Sequence, residues 1–428
     1  MRDPFFAAVA AGFTLLALGW GLMLPAFESV DEQNHYRYMV FLKDHGRLPR
    51  QLPSPAESTG EGHQPPLYYA LGALALRIFQ PDARFQELPR AATAFNREPV
   101  YFVHGPEESF FNFEGQAFSL HLLRLIQLFA LIVPGLLCLA WALSRLLPRT
   151  EARLAFGVLA LNPGFIALAG ALNNDHGAWV LGTAALAVLL LGLEHGGASW
   201  WEWLLFGVLA GLAGMAKPTA LGILAAGLFM ALSRPTELKR RGPWLALAAV
   251  AAATGWWFLR NALLYGDATA WNALVADCPQ CVHPKPCLLW AWWWFWISRT
   301  FETFWSVFGW MTWRASPWVT LGFWGLTTAA LIGLVSGRAR ALKSGVAALA
   351  WAAFLGVSIV VLRHDLALDP PAGRYFYAAI LPIGLLLGQG WSVFKAPAWT
   401  PWVLGGALAV LDLWLLFGRM VPLYAPAR

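Results

Sequence analysis

GAWVLGTAALAVLLLGL, residues 177–193, contains no charged side chain. About 17–25 such residues, wound as a helix, cover the roughly 30 Å of bilayer hydrocarbon. In lipid, each backbone N–H and C=O must be bonded within its own segment, so this stretch is a helix that spans. Outward from it, comparable runs recur along the whole chain. Eleven spans are expected, near 5–24, 119–145, 152–170, 177–193, 201–216, 218–232, 243–260, 317–336, 344–362, 374–392 and 398–417.

Composition agrees. Of the 428 residues, 58% are hydrophobic and only 13% are charged, against about 25% charged in soluble domains. The missing charge means that most of the surface faces lipid. A β-barrel would instead alternate apolar and polar residues over short segments. The net charge of +6 is no nucleic-acid signal, because the basic residues are scattered between spans, where they set orientation. The expected fold is an all-α, polytopic transmembrane helical bundle, a single domain over 1–428, with interfacial helices in a long first external loop. No soluble domain, internal repeat or low-complexity linker stands out, and the inverted repeats of many transporters are not evident.

The N-terminus, MRDPFFAAVAAGFTLLALGWGLMLP, has no small-x-small cleavage site before the polar loop. It reads as a retained first helix rather than a signal peptide. One apolar stretch, residues 65–79 (PPLYYALGALALRIF), is short for a span. If it does not cross, three basic clusters fall on one side: Arg145, Arg149 and Arg153; Arg234, Lys239, Arg240 and Arg241; Arg338, Arg340 and Lys343. The positive-inside rule makes that side cytoplasmic. The N-terminus is then cytoplasmic, and residues 25–118 and 261–316 form two external loops. The second loop carries LLWAWWWFWISRTFETFWSVFGWMTW, suited to a helix at the interface. The expected location is the inner (plasma) membrane.

Several constellations could carry chemistry. In SVDEQNHYRY, residues 29–38, Ser29 and Glu32 have capping-box spacing. Asp31 and His35, four apart, share a helix face. An acid beside a histidine at the mouth of a membrane bundle is suited to taking a proton from a hydroxyl. Both acids could equally complement the helix dipole. In GHQPPLYY, residues 62–69, two prolines start a helix, and His63 and Gln64 just before it could hold a phosphate or sugar hydroxyl. An ordinary loop-to-helix junction would look the same.

Arg124, Lys217, Arg260 and Arg374 fall at external span ends, where basic residues are disfavoured. Together they could neutralise a lipid-linked phosphate, with Tyr375 alongside. Arg260 also has a simple role at a helix C-terminus. LNNDHG, residues 172–177, offers Asn173 and Asp175 to a substrate, or a polar turn with Asp175 as cap. CPQCVHPKPC, residues 278–287, places Cys278, Cys281, His283 and Cys287 at zinc-like spacing. The external position favours a disulfide among the three cysteines instead. Cys138 sits within a span and reads as inert.

With these residues in view, the chain resembles the membrane glycosyltransferases of the GT-C fold, which include the protein O-mannosyltransferases and the aminoarabinose transferase acting on lipid A. The resemblance lies in the acidic pair Asp31-Glu32, the pair Pro65-Pro66 in GHQPPLYY, and one span followed by a long external loop. RNALLYGD, FWSVFGWM and GRYFYAAILP look like a bacterial branch placed near this fold. The resemblance implies transfer of a sugar from a polyprenyl-phosphate carrier to an envelope glycan, lipid or protein hydroxyl outside the membrane. It puts the catalytic acid at Asp31. Where the aminoarabinose transferases have an acid-lysine pair before the prolines, this chain has His63-Gln64, so the family's donor-phosphate lysine is absent there. The expected reaction is an inverting single displacement, with Glu32 and His35 beside the base and Lys217, Arg260 or Arg374 on the leaving phosphate. No ligand set in the first loop demands a metal, and no cofactor is required, although a divalent ion could assist. A transporter or flippase of a lipid-linked saccharide would use the same cations without a base. A noncatalytic scaffold of an envelope-assembly complex would need neither.

Overall fold

The computed structural model describes residues 3–51, 59–91, 100–105, 108, 114–279, 282, 289–368 and 370–424. The described residues are mostly helical, and the chain crosses the membrane many times. Helix α1 (Pro4–Met23) is the first span. It leads into α2 (Glu32–His45) and α3 (Leu67–Phe79). Helices α4 (Gly115–Gln127) and α5 (Val133–Leu146) are joined by a π-turn into one 32-residue rod. Then come α6 (Arg149–Ala160), α7 (Pro163–Ala169), α8 (Asp175–Glu194) and α9 (Trp200–Ala216). A 3₁₀ segment (Pro218–Ile223) opens α10 (Leu224–Ser233), and the short α11 (Pro235–Leu238) precedes α12 (Arg241–Tyr265).

Helices α13 (Trp271–Asp277) and α14 (Trp290–Trp305) follow. A small hairpin, β1 (Val307–Phe308) and β2 (Trp313–Arg314), pairs Val307 with Arg314 and Phe308 with Trp313. Helices α15 (Pro317–Val335) and α16 (Ser344–Asp365), a 3₁₀ segment (Gly373–Ala379), α17 (Ile380–Trp391), α18 (Thr400–Leu415) and α19 (Val421–Tyr424) complete the chain.

Each of the eleven expected spans is helical. Among the described residues, eight helices are long and apolar enough to cross a bilayer, or nine if one bent pair counts as a span. That pair is α6 and α7, bent by 57°. The bend has a local cause. Asn162 caps α7 by accepting from the Gly164 and Phe165 amides at 2.9 and 3.4 Å, and Pro163 starts the new helix. The expected spans at 201–216 and 218–232 form shorter apolar helices. Helix α3 has 13 residues, about 20 Å at 1.5 Å per residue, short of the hydrocarbon thickness.

Apolar side chains point outward as well as inward. Val335, Trp318, Leu263 and Trp290 are each at least three-quarters exposed, as lipid-facing residues must be. Inside, small residues let helices approach. A Cβ on Gly207 of α9 would stand 2.4 Å from the Ala246 carbonyl oxygen of α12, the close backbone contact that small residues allow between membrane helices. A second apolar cluster, including Phe27, Tyr36, Tyr69, Phe102 and Leu172, packs the first loop onto the end of the bundle.

The expected capping box at Ser29 is not formed. The N-cap of α2 is Asp31, in left-handed backbone (φ 62°, ψ −2°), and makes no side-chain cap bond. The Glu32 carboxylate turns inward and accepts from the Phe27 and Leu172 amides at 3.1 and 2.7 Å. It also takes a two-pronged bond from Arg124, at 2.8 and 2.6 Å. Asp175 is likewise no cap: Asn173 accepts from the Asp175 amide at 2.9 Å, which frees the Asp175 carboxylate for the site described next.

Candidate active site

Four elements bring alternating charges to one place at the end of the bundle. Asp31 lies at the start of α2, Asp175 in the first turn of α8, Lys217 at the break between α9 and the following 3₁₀ segment, and Arg374 in the 3₁₀ segment before α17. Arg374 Nη2 donates to Asp31 Oδ2 at 2.5 Å. Arg374 Nε stands 3.8 Å from Asp175 Oδ2, and Lys217 Nζ is 2.6 Å from Asp175 Oδ1. The Tyr375 ring lies under both cations, 4.6 Å from Lys217 Nζ and 5.2 Å from Arg374 Cζ, a geometry that holds cations over an aromatic face.

Two of these charges owe their place to helix breaks. Lys217 precedes Pro218, which cannot continue α9. Arg374 follows Gly373, whose amide donates to Thr303 Oγ1 at 2.7 Å. A Cβ on Gly373 would lie 2.1 Å from the Thr300 carbonyl oxygen, so only glycine lets this segment dock on α14.

The site is buried yet open at Asp31. The Asp31 side chain is 30% exposed, whereas those of Arg374, Lys217 and Asp175 are 9%, 8% and 3% exposed. Among the described residues, several buried polar atoms around it lack a hydrogen-bond partner: Arg374 Nη1, Asp175 Oδ2, Asn174 Oδ1, His35 Nε2, His63 Nδ1 and Gln64 Oε1. Buried polar groups are normally paired, so a hydroxyl-rich or anionic ligand would complete this set.

Burial alone would raise the Asp31 pKa, but the charge of the Arg374 guanidinium and its hydrogen bond hold the carboxyl below its usual range. It is therefore ionised and can accept a proton. Burial pushes the His35 imidazole down to about 3, against the pull of Asp31. It also pushes His63 down to about 4. Burial, with the Asp31 charge adding to it, pushes Glu61 up to about 8.

The other expected residues divide. His35 joins Asp31: its Nδ1 lies 3.0 Å from the Tyr69 hydroxyl, which also accepts from Asn174 Nδ2 at 3.1 Å. His63 and Gln64 precede α3 and contact each other at 3.0 Å. Arg124 is not available to a phosphate. Besides Glu32 it donates to the carbonyls of Gly21, Leu24 and Pro25 at 3.1, 2.7 and 3.1 Å. Glu32 is equally committed, so this pair fixes the first loop instead of facing substrate. Arg260 turns to the Pro49 carbonyl at 2.9 Å and lies over Trp257. Cys278 is disulfide-bonded, while Cys281, His283 and Cys287 lie outside the described residues.

Two residues were not anticipated. Glu61 stands two positions before His63, just outside the motif chosen for its prolines. His364 is held by Asp365 at 3.1 Å, and Asp365 accepts from Trp296 Nε1 at 2.9 Å. The His364 ring meets the Tyr375 ring edge-on at 5.0 Å. A histidine-aspartate neighbour pair at a helix end gives no signal in the sequence.

Beside Arg374 a cleft opens between α1, α7 and the β1 hairpin. Its walls include Trp20, Leu24, Leu168, Phe308 and Met311, with Ser29, Thr303 and Arg374 also in its lining.

Comparisons with known proteins agree with this architecture. The model of the dolichyl-phosphate-mannose-protein mannosyltransferase family matches residues 117–257. No curated protein matches the sequence significantly. ArnT from Cupriavidus metallidurans, in a crystal structure bound to undecaprenyl phosphate, superposes with a TM-score of 0.54 at 14% identity, over 98% of this chain and 73% of that one. The arabinofuranosyltransferase AftD from Mycobacteria gives 0.53 at 16% identity, over 99% of this chain and 27% of that one. The oligosaccharyltransferase of Archaeoglobus fulgidus gives 0.51 at 14%, over 99% and 56%. The chain has the fold that these membrane proteins share, the GT-C fold.

Proposed function

We propose that the protein is a membrane glycosyltransferase that moves a sugar from a polyprenyl-phosphate donor to an acceptor hydroxyl on the extracytoplasmic face. The observation that carries this reading is the run Asp31–Arg374–Asp175–Lys217, with a partly exposed acid at one end and buried cations behind it. A transporter would need the cations to hold a phosphate, but not the ionised acid facing the opening. The family match to a dolichyl-phosphate-mannose-dependent enzyme and the polyprenyl phosphate held by ArnT support the donor class.

The reaction follows from the charges. Asp31 takes the proton of the acceptor hydroxyl, whose oxygen attacks the anomeric carbon as the bond to the phosphate oxygen breaks. Configuration inverts in this single displacement. Arg374 and Lys217 face the developing charge on the departing polyprenyl phosphate. Preorganised cations in a water-poor site lower such a barrier by several kcal/mol. The cleft lined in part by Arg374 places apolar side chains such as Trp20 and Leu24 beside that cation, on the side from which a lipid-linked phosphate would approach. The protein sits in the inner membrane, with the N-terminus cytoplasmic and the site outside.

Mass spectrometry of lipid-linked sugars and envelope glycans in a strain lacking the protein tests this. The expected result is accumulation of one polyprenyl-phosphate sugar on the outer leaflet and loss of that sugar from one envelope acceptor. Accumulation on the inner leaflet instead would make the protein a flippase.

A further inference from the structure

We propose that Asp31, His35 and Glu61 form a divalent-cation site that binds the acceptor hydroxyl. The inference rests on the glycosyltransferase reading and adds the means by which the hydroxyl is activated. One ring nitrogen of His35 and one carboxylate oxygen from each acid all lie within 4.8 Å of one another. A cation bonded at about 2.0–2.2 Å holds opposite ligands about 4.4 Å apart, so small side-chain shifts close the set. Asp31 and His35 come from the start of α2, and Glu61 from the loop before α3. The first loop thus does supply a ligand set, which its sequence alone did not reveal.

An independent observation points to a ligand. His35 is 2% exposed, and among the described residues its Nε2 has no hydrogen-bond partner. Its other nitrogen is engaged by Tyr69, which Asn174 holds in turn. That is the arrangement by which a metal-binding imidazole is oriented: one nitrogen anchored, the other presented. Glu61 is buried, yet no ion pair neutralises it among the described residues. The charges of Asp31 and Asp175 both oppose ionisation of Glu61, and a divalent cation held between Glu61 and Asp31 relieves that opposition.

One nitrogen and two carboxylate oxygens leave positions open for a substrate oxygen, and the set suits Mn²⁺ or Zn²⁺. The acceptor hydroxyl takes an open position and becomes more acidic. Its O–H bond breaks, and the proton passes to the Asp31 oxygen that faces Arg374. The other Asp31 oxygen stays on the cation. The new bond forms at the anomeric carbon, and the electron pair of the broken bond leaves with the phosphate.

The test uses the full chain in nanodiscs, stripped with chelator, dialysed and titrated with Mn²⁺ by electron paramagnetic resonance. One Mn²⁺ per chain is expected, displaced by Zn²⁺ and weakened at least tenfold by His35→Asn and by Glu61→Gln. Sugar transfer by the stripped wild type should fall and return with Mn²⁺, a measurement that needs no variant to fold. A stripped wild type that binds no cation and transfers sugar at full rate overturns the site and leaves the glycosyltransferase reading intact. Saturable binding that both variants retain at wild-type affinity also overturns it. Binding lost in both variants, from a wild type that moves no sugar from any polyprenyl-phosphate donor, upholds the site and overturns the reading.

Discussion

Asp31 and Arg374 are 343 positions apart in the chain and 2.5 Å apart in the folded protein. One residue begins the first loop, and the other follows α16, the third span from the C-terminus. Their contact ties the proposed base to the proposed phosphate-binding cation, so disturbing either should be felt in turnover. Arg374→Gln keeps a hydrogen-bond donor but removes the charge. Turnover is expected to fall by about 10²–10³, the usual worth of one preorganised group on a developing anion. Steady-state kinetics with a polyprenyl-phosphate donor checks this, and an unchanged kcat would detach Arg374 from the chemistry.

Gly373→Ala tests the same position without touching a charge. The added methyl would meet the Thr300 carbonyl at 2.1 Å and the Phe304 amide at 2.4 Å. The segment must shift, and Arg374 shifts with it. Overpacking of this kind costs about 1–3 kcal/mol. A lower melting temperature together with a lower kcat is expected. Wild-type values for both would show that the docking of this segment on α14 is looser than described.

Arg124 and Glu32 should behave differently from the site. Both are buried and serve backbone groups of the first loop. Removing one partner of a buried, hydrogen-bonded pair costs about 3–5 kcal/mol. Arg124→Gln should therefore lower the melting temperature and the yield of folded protein. Intact stability combined with lost donor binding would return Arg124 to the phosphate site.

The membrane-bundle class was legible in the charge-free runs, because hydrocarbon imposes the same demand on every span. Asp31 and His35 were legible as a pair because four residues along a helix is a local distance. The role of Glu32 was not. A capping box is a local pattern, but here a buried guanidinium, brought from 92 positions away, competes for the same carboxylate and wins. Glu61 was missed for a related reason: it becomes a neighbour of Asp31 only when the first loop folds back. Lys217 and Arg374 were suspected from their side of the membrane, while their shared partner Asp175 came from a turn that read equally well as a cap.

Orientation can be measured directly. Single cysteines in place of Lys239 and Ala268, both exposed, should differ toward an impermeant thiol reagent in intact cells. Only position 268 is expected to label above the wild-type background. Labelling at position 239 alone would invert the protein and place the site in the cytoplasm.

The central claim is that Asp31 accepts the acceptor's proton. Asp31→Asn is nearly isosteric and keeps an oxygen for Arg374, so folding and donor binding should survive. The most direct measurement is the transfer rate of this variant in nanodiscs under saturating donor, with donor affinity measured in parallel. A fall of about 10²–10⁴, the usual worth of general-base catalysis, with donor affinity retained, is the predicted result. Transfer at the wild-type rate would contradict the account.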